Sequence, residues 1–356
     1  MTTINFGTSV TLSQAAKLIT HVRGNRIFLQ GEPGIGKSSL LAEIARLLPD
    51  HIVADPIDVP NMDLGDIAMP VVDREKMVTN YAPNSRFKLT QGKPVIIMLD
   101  EFTKGADPIK NMLHPLLEVS KPRLGDVYLH PDTVVFLTGN LASDGVGDSL
   151  KGHSRNRLSV VSVRKPDSDE WLGWAVNNDI DGAVCAWVKQ YPHALASYTD
   201  GGQSENPYIY NPRKASFACV SPRSLFLASN IVKNRQFLDT ETTIAALAGT
   251  VGEAAARDMQ AFLAYQDQLP AWDAIIKNPQ GAIVPTSAGA CAVLVFGAIA
   301  KISKETISPF MEYLNRFDPE WQATFAINVA KSPSKQSIAF SSIAFRDWIT
   351  KNEDIL

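Results

Sequence analysis

In the first half of the chain the apolar residues fall into short continuous runs rather than helical stripes. The candidate strands span residues 27–29, 51–54, 95–99, 134–138 and 159–163, of which 27–29 and 95–99 are apolar at every position. Strands that are apolar on both faces belong to parallel sheets covered on both sides. Between several of the runs lie helical stretches, such as residues 39–48 with Leu40, Leu41, Ile44, Ala45 and Leu48 at helical spacing. This order predicts an α/β fold with a five-stranded, doubly wound parallel sheet sandwiched by helices. From about Pro166 the pattern changes to amphipathic helices, at residues 170–177, 224–233, 243–265 and 307–314. Residues 288–300 are almost wholly apolar but too few to span a bilayer, so they predict a buried helix. Residues 198–214, rich in Gly, Asn, Pro and Tyr, predict a surface loop. The expected domains are an αβα core over residues 1–165, a helical lid over 166–250 and a further helical region over 251–356, from which no chemistry is legible.

Within this frame, Gly31-Glu32-Pro33-Gly34-Ile35-Gly36-Lys37-Ser38 fits the phosphate-loop pattern G-x-x-x-x-G-K-[ST]. It follows a predicted strand and precedes a predicted helix, with Ser39 opening that helix. In such a loop the backbone N–H groups converge on a β-phosphate at the positive end of the helix. Lys37 would reach the β- and γ-phosphates and the Ser38 hydroxyl would hold Mg²⁺. Pattern and context together predict binding of a nucleoside triphosphate. The run 95–99 ends in Asp100-Glu101, at the strand end where open α/β sheets bind ligands. There Asp100 would hold the Mg²⁺ shell and Glu101 would polarise the attacking water.

Composition narrows the class. With 45% apolar and 20% charged residues, a chain of 356 residues can build two or three domains with real cores. Lys and Arg number 34 against 37 for Asp and Glu, a net charge of -3, so general nucleic-acid binding is not indicated, although a local basic channel stays open. Cys185, Cys219 and Cys291 lie far apart without C-x-x-C spacing, which argues against a zinc site or a disulfide framework and for a reducing cytoplasm. The first five residues lack a basic, then apolar, leader pattern, and no membrane segment is expected.

These residues resemble the AAA+ ATPases, and within them the MoxR-type or dynein-related branch, over about residues 12–247. The stretch Leu99-Asp100-Glu101-Phe102-Thr103-Lys104 and the later Asn111 to Glu118 look like that branch's Walker B strand and following helix. Residues 124–131 look like its hairpin before the sensor strand. Asn140 falls where the family keeps its sensor 1 residue. Ser221-Pro222-Arg223-Ser224 resembles sensor 2 at the start of a lid helix. By its own chemistry Ser221 suits an N-cap and Pro222 the first helical position, while Arg223 adds positive charge to an already positive helix end. An anion there, such as a γ-phosphate, would compensate. The trans-acting arginine finger falls on Arg157 or Arg155, since Asn156-Arg157-Leu158 departs from the branch's acidic-Arg-Phe order. Residues 61–66 and 70–87 resemble an insertion in which Arg74, Lys76 and Tyr81 touch a substrate or merely decorate a solvated hairpin.

The resemblance implies ATP and Mg²⁺ as ligands, a homo-oligomeric hexameric ring, and remodelling of a protein partner, which in this branch often carries a von Willebrand factor A domain. A DNA-directed motor or loader in replication or packaging is the alternative, and a nucleotide switch with little turnover is a further one. Glu101 and two candidate fingers argue against the switch.

Overall fold

The structure is a computed structural model that describes residues 8–141, 155–214 and 217–352. The leader reading of residues 1–5 lies outside the described residues, as do the residues that lead into Arg155. The chain divides into two compact units, Met1–Lys165 and Pro166–Leu356.

In the first unit, strands β1 (Ser9–Val10), β2 (Ile27–Gln30), β3 (Ile52–Val53), β4 (Ile57–Asp58), β7 (Val95–Asp100), β10 (Val134–Gly139) and β11 (Ser159–Val163) form one parallel sheet. Their order is β1-β11-β2-β10-β7-β3, with β4 also pairing with β7. Alternation along each strand divides its residues between two cores. Ile27, Leu29, Ile96, Met98 and Phe136 pack with Ala15, Ile19, Leu41 and Ile44 of helices α1 (Leu12–His21) and α2 (Leu40–Leu47). On the opposite face, Phe28, Ile97, Leu99, Val135 and Leu137 pack with Phe102, with Ile109 and Leu113 of α3 (Asp107–Leu113), and with Leu116. Both faces are covered, which is why the runs read as continuously apolar.

The sheet has seven strands rather than the expected five. The additions, β1 and β4, have two residues each and exist by pairing with β11 and β7. Two hairpins complete the unit. Strands β5 (Ala68–Asp73) and β6 (Val78–Pro83) pair antiparallel, Pro70 opposite Tyr81, and are exposed along most of their length. Strands β8 (Arg123–Leu124) and β9 (Val127–Tyr128) form the second. Asp126, in its turn, ties the hairpins together: its N–H donates to Tyr81 O at 3.0 Å and its Oδ2 accepts from the Tyr81 N–H at 2.6 Å.

The second unit is helical, with α4 (Ser168–Ala175), α5 (Gly182–Gln190), α6 (Pro222–Lys233), α7 (Thr240–Val251), α8 (Glu253–Gln268), α9 (Trp272–Lys277), α10 (Ala288–Lys301), α11 (Ile307–Leu314), α12 (Pro319–Lys331), α13 (Gln336–Ser341) and α14 (Ile343–Lys351). A single hydrophobic cluster runs from Trp171 to Trp348, across the boundary expected at residue 250. Helix α10 is the buried helix expected at 288–300 and packs against α5, α8 and α12. Among the described residues no helix is long and apolar enough to cross a membrane.

Two expectations change here. The single helix expected over 243–265 is two, α7 and α8, because Gly252 sits at φ 89° and ψ 155°, a region essentially closed to side chains. A Cβ on Gly252 would also lie 2.7 Å from Ala218 O. The segment 198–214 is not a simple surface loop. Tyr198, Tyr208 and Ile209 are buried, the Tyr208 ring stands edge-on to Trp187, and its hydroxyl donates to Asp258 Oδ2 at 2.6 Å. Burial and the carboxylate raise the Tyr208 phenol above its ordinary pKa. Cys185, Cys219 and Cys291 are free thiols.

Candidate functional site

The loop 31–38 leaves β2 and enters a 3₁₀ turn, Lys37–Ser39, that leads into α2. Gly34 and Gly36 take φ values of 75° and 102°, which lets the backbone curl without Cβ clashes. Ser39 closes the curl by donating its hydroxyl to Gly36 O at 2.6 Å. Ile35 is buried in the core with α1 and α2 and anchors the loop from beneath. Lys37, itself largely buried, donates from Nζ to Gly31 O at 2.7 Å, Glu32 O at 2.8 Å and Asn140 Oδ1 at 3.1 Å. The residue expected as sensor 1 therefore touches the loop lysine directly.

The second half of the site is built by β7 and β10. Their register aligns Leu99 with Leu137, so the next pair in line is Asp100 and Thr138. Asp100 Oδ2 accepts from Ser38 Oγ at 3.1 Å. Asp100 Oδ1 accepts from Thr138 Oγ1 and from the Glu101 N–H, the latter at 3.1 Å. Glu101 adopts φ 49°, a left-handed conformation uncommon outside glycine. Its carboxylate forms an ion pair of 2.7 Å with Lys104 on the turn that follows.

Lys37 with Asn140, and Ser38 with Asp100 and Thr138, thus form two hydrogen-bonded groups joined through the chain at Lys37-Ser38, at the carboxyl ends of β2, β7 and β10. Hydroxyl and carboxylate oxygens together suit a hard cation, and Mg²⁺ typically takes one or two protein oxygens alongside phosphate oxygens and water. Ser38 and Asp100 provide that set. Among the described residues no group of three or more His, Cys, Asp or Glu could hold a metal alone. Sequence reasoning passed over Thr138 and Lys104. The legible signal for Thr138 is a hydroxyl among Val134, Val135, Phe136 and Leu137 in a fully buried strand.

The finger candidates differ in setting. Arg157 donates from Nε to Glu118 Oε1 at 3.0 Å. The same segment receives Arg26, whose buried guanidinium donates to Leu116 O at 3.0 Å and Glu118 O at 3.3 Å, and whose pKa is lowered by desolvation. Arg155 is exposed, with no ion pair among the described residues. In the insertion hairpin, Lys76 pairs with Asp73 at 3.3 Å and Tyr81 is exposed; neither they nor Arg74 join the cluster.

In the second unit, Ser221 caps α6 in a reciprocal box. Its Oγ accepts from the Ser224 N–H at 3.1 Å, and its own N–H donates to Ser224 Oγ at 2.8 Å. Pro222 holds the first helical position and Arg223 the next, exposed and without a hydrogen-bond or ion-pair partner among the described residues.

Residues 26–140 match the family model of the AAA domain, dynein-related subfamily. The matched span contains the loop, Asp100, Glu101 and Asn140, so this part of the chain is similar to AAA domains of that subfamily. A solved structure of a "putative ATPase" from Cytophaga hutchinsonii is similar at 13% sequence identity and a TM-score of 0.34, covering 68% of this chain and 81% of that one.

Proposed function

We propose that the chain is a Mg²⁺-dependent ATPase of the MoxR-like AAA+ kind that works as a homo-oligomeric, hexameric ring and remodels a protein partner. The observation that carries the ATPase reading is the joining of the phosphate-type loop to the β7 carboxylate, Ser38 Oγ to Asp100 Oδ2 at 3.1 Å. Hydroxyl and carboxylate face one point, as a shared cation requires. When bound there, Mg²⁺ would neutralise charge on the phosphate oxygens.

The chain's own residues divide the remaining work. Backbone N–H groups of residues 34–38 would bind phosphate oxygens at the start of the following helix. Lys37 would exchange the Gly31 and Glu32 carbonyls for the β- and γ-phosphates. Glu101 would accept the proton of the attacking water, and Asn140, two residues beyond Thr138, would orient that water or the γ-phosphate. Arg223 supplies an exposed charge at a helix N-terminus where an anion is favourable, in keeping with a sensor 2 role. Arg157 is the preferred finger and Arg155 the other candidate. The remodelling role and a partner with a von Willebrand factor A domain rest on family resemblance alone.

The test is phosphate release by purified protein with Mg²⁺ and ATP, measured across protein concentration. Turnover per subunit that rises with concentration supports ring assembly; no release at any concentration overturns the ATPase reading.

A further inference from the structure

We propose that Thr138 is a positioning residue that orients the Asp100 carboxylate toward the cation and sets the backbone from which Glu101 projects. The proposal rests on the ATPase reading above and deepens it.

Thr138 is fully buried, yet carries a hydroxyl in a strand whose preceding four residues are all apolar. Valine would fill nearly the same volume and favour the strand as well. A buried polar group calls for an explanation in terms of partners. Here both capacities of the hydroxyl are used. Its O–H donates to Asp100 Oδ1, and its oxygen accepts from the Glu101 N–H at 3.2 Å. That N–H also donates to Asp100 Oδ1 at 3.1 Å, so two donors occupy one carboxylate oxygen.

Oδ1 is thereby committed to β10 and to the turn, and Oδ2 is left directed at Ser38. Rotation of the carboxylate about its terminal bond would break both donor contacts at Oδ1. The same hydroxyl holds the peptide of Glu101 at its uncommon φ of 49°. One side chain on a neighbouring strand therefore sets both the oxygen offered to the cation and the direction in which the next carboxylate leaves the sheet.

The experiment compares wild type with Thr138→Val and Thr138→Ser. Mn²⁺ binding to the protein–ADP complex is followed by electron paramagnetic resonance, ADP binding in EDTA by calorimetry, and turnover separately. Loss of residues that support metal ligands typically weakens metal affinity about 10- to 100-fold. Thr138→Val should show a loss of that size in Mn²⁺ affinity and lower turnover, with metal-free ADP binding unchanged. Thr138→Ser, which keeps the hydroxyl, should restore Mn²⁺ affinity. If Thr138→Val does not fold, Thr138→Cys retains a side chain of similar size with only a weak donor and should show the same loss.

Wild-type Mn²⁺ affinity in a folded Val or Cys variant overturns the proposal. So does a Ser variant as impaired as Val, which would mean that packing and not the hydroxyl matters. Wild-type protein that binds neither ADP nor Mn²⁺–ADP overturns the nucleotide reading itself, and this proposal with it.

Discussion

Arg157 and Glu118 form a 3.0 Å ion pair, so the arginine best matched to a trans-acting finger is held within its own unit. Both side chains are partly exposed, at 37% and 45%, and pairs of that kind are worth about 0–1 kcal/mol. Glu118 can therefore orient Arg157 without preventing its transfer to a neighbouring subunit's phosphate. Arg157→Ala should bind ATP but lose about 10³- to 10⁵-fold in turnover. Mixing it with Lys37→Ala in equal amounts should restore some activity, because an intact loop can then face an intact finger. Phosphate release, with co-assembly verified by analytical ultracentrifugation, checks both. No recovery in proven mixed rings would transfer the test to Arg155.

On the proposed reading Lys37 would serve phosphate charge and Glu101 the attacking water. Lys37→Ala should abolish ATP binding. Glu101→Gln should keep it while turnover falls by at least about 10², the lower range for loss of a general base. Fluorescent-nucleotide titration beside phosphate release separates the two, and wild-type turnover by Glu101→Gln would end the assignment.

Arg223 stands at the second position of α6 without a partner among the described residues. If it reads the γ-phosphate, Arg223→Ala should remove most of the difference in amide hydrogen exchange between ATP- and ADP-bound protein while leaving the α6 cap protected. A difference as large as wild type's would return Arg223 to the solvated surface.

Asp239 caps α7, accepting from the Thr242 N–H at 2.6 Å, and this backbone hydrogen bond lowers its carboxyl below the ordinary 3.8. The sign follows from linkage: the unfolded chain binds the proton more readily, so the stabilisation is present above pH 3.8 and disappears as pH falls through the lowered value. Asp239→Ala should melt below wild type at pH 6, and the gap should close in acid. Thermal melts over a pH series check this; a gap independent of pH would contradict it.

Gly252→Ala should destabilise the second unit by about 1–3 kcal/mol, the cost of a side chain in a glycine-only backbone region. All six tryptophans lie in that unit, so the urea midpoint of tryptophan fluorescence reports on it selectively. An unchanged midpoint would show that the α7–α8 junction relaxes freely.

Much of the sheet was legible because residues 95–99 and 134–137 are apolar at every step, a consequence of covering both faces. Strands β1 and β4 were not, since two residues carry no period and pairing alone defines them. Gly252 was visible in sequence, but a lone glycine is tolerated in helices. Its φ and the nearby Ala218 carbonyl decide the break, and neither is local in sequence. In the site, the fold brings Ser38 to Asp100 and Lys37 to Asn140, while the Glu101 carboxylate pairs with Lys104. Thr138 escaped notice because a β-branched residue in a strand needs no explanation until its hydroxyl is seen between two neighbours.

Lys37 spends its three ammonium hydrogens on three acceptors, two of them carbonyls of its own loop. A ligand that takes over this lysine must replace charge-assisted hydrogen bonds already made. A neutral nucleoside brings nothing of comparable strength, whereas a chain of phosphates brings several anionic oxygens at once. On the proposed reading the loop would thus act as a threshold as well as a cradle, selecting against ligands with too little negative charge before any contact with the base is made.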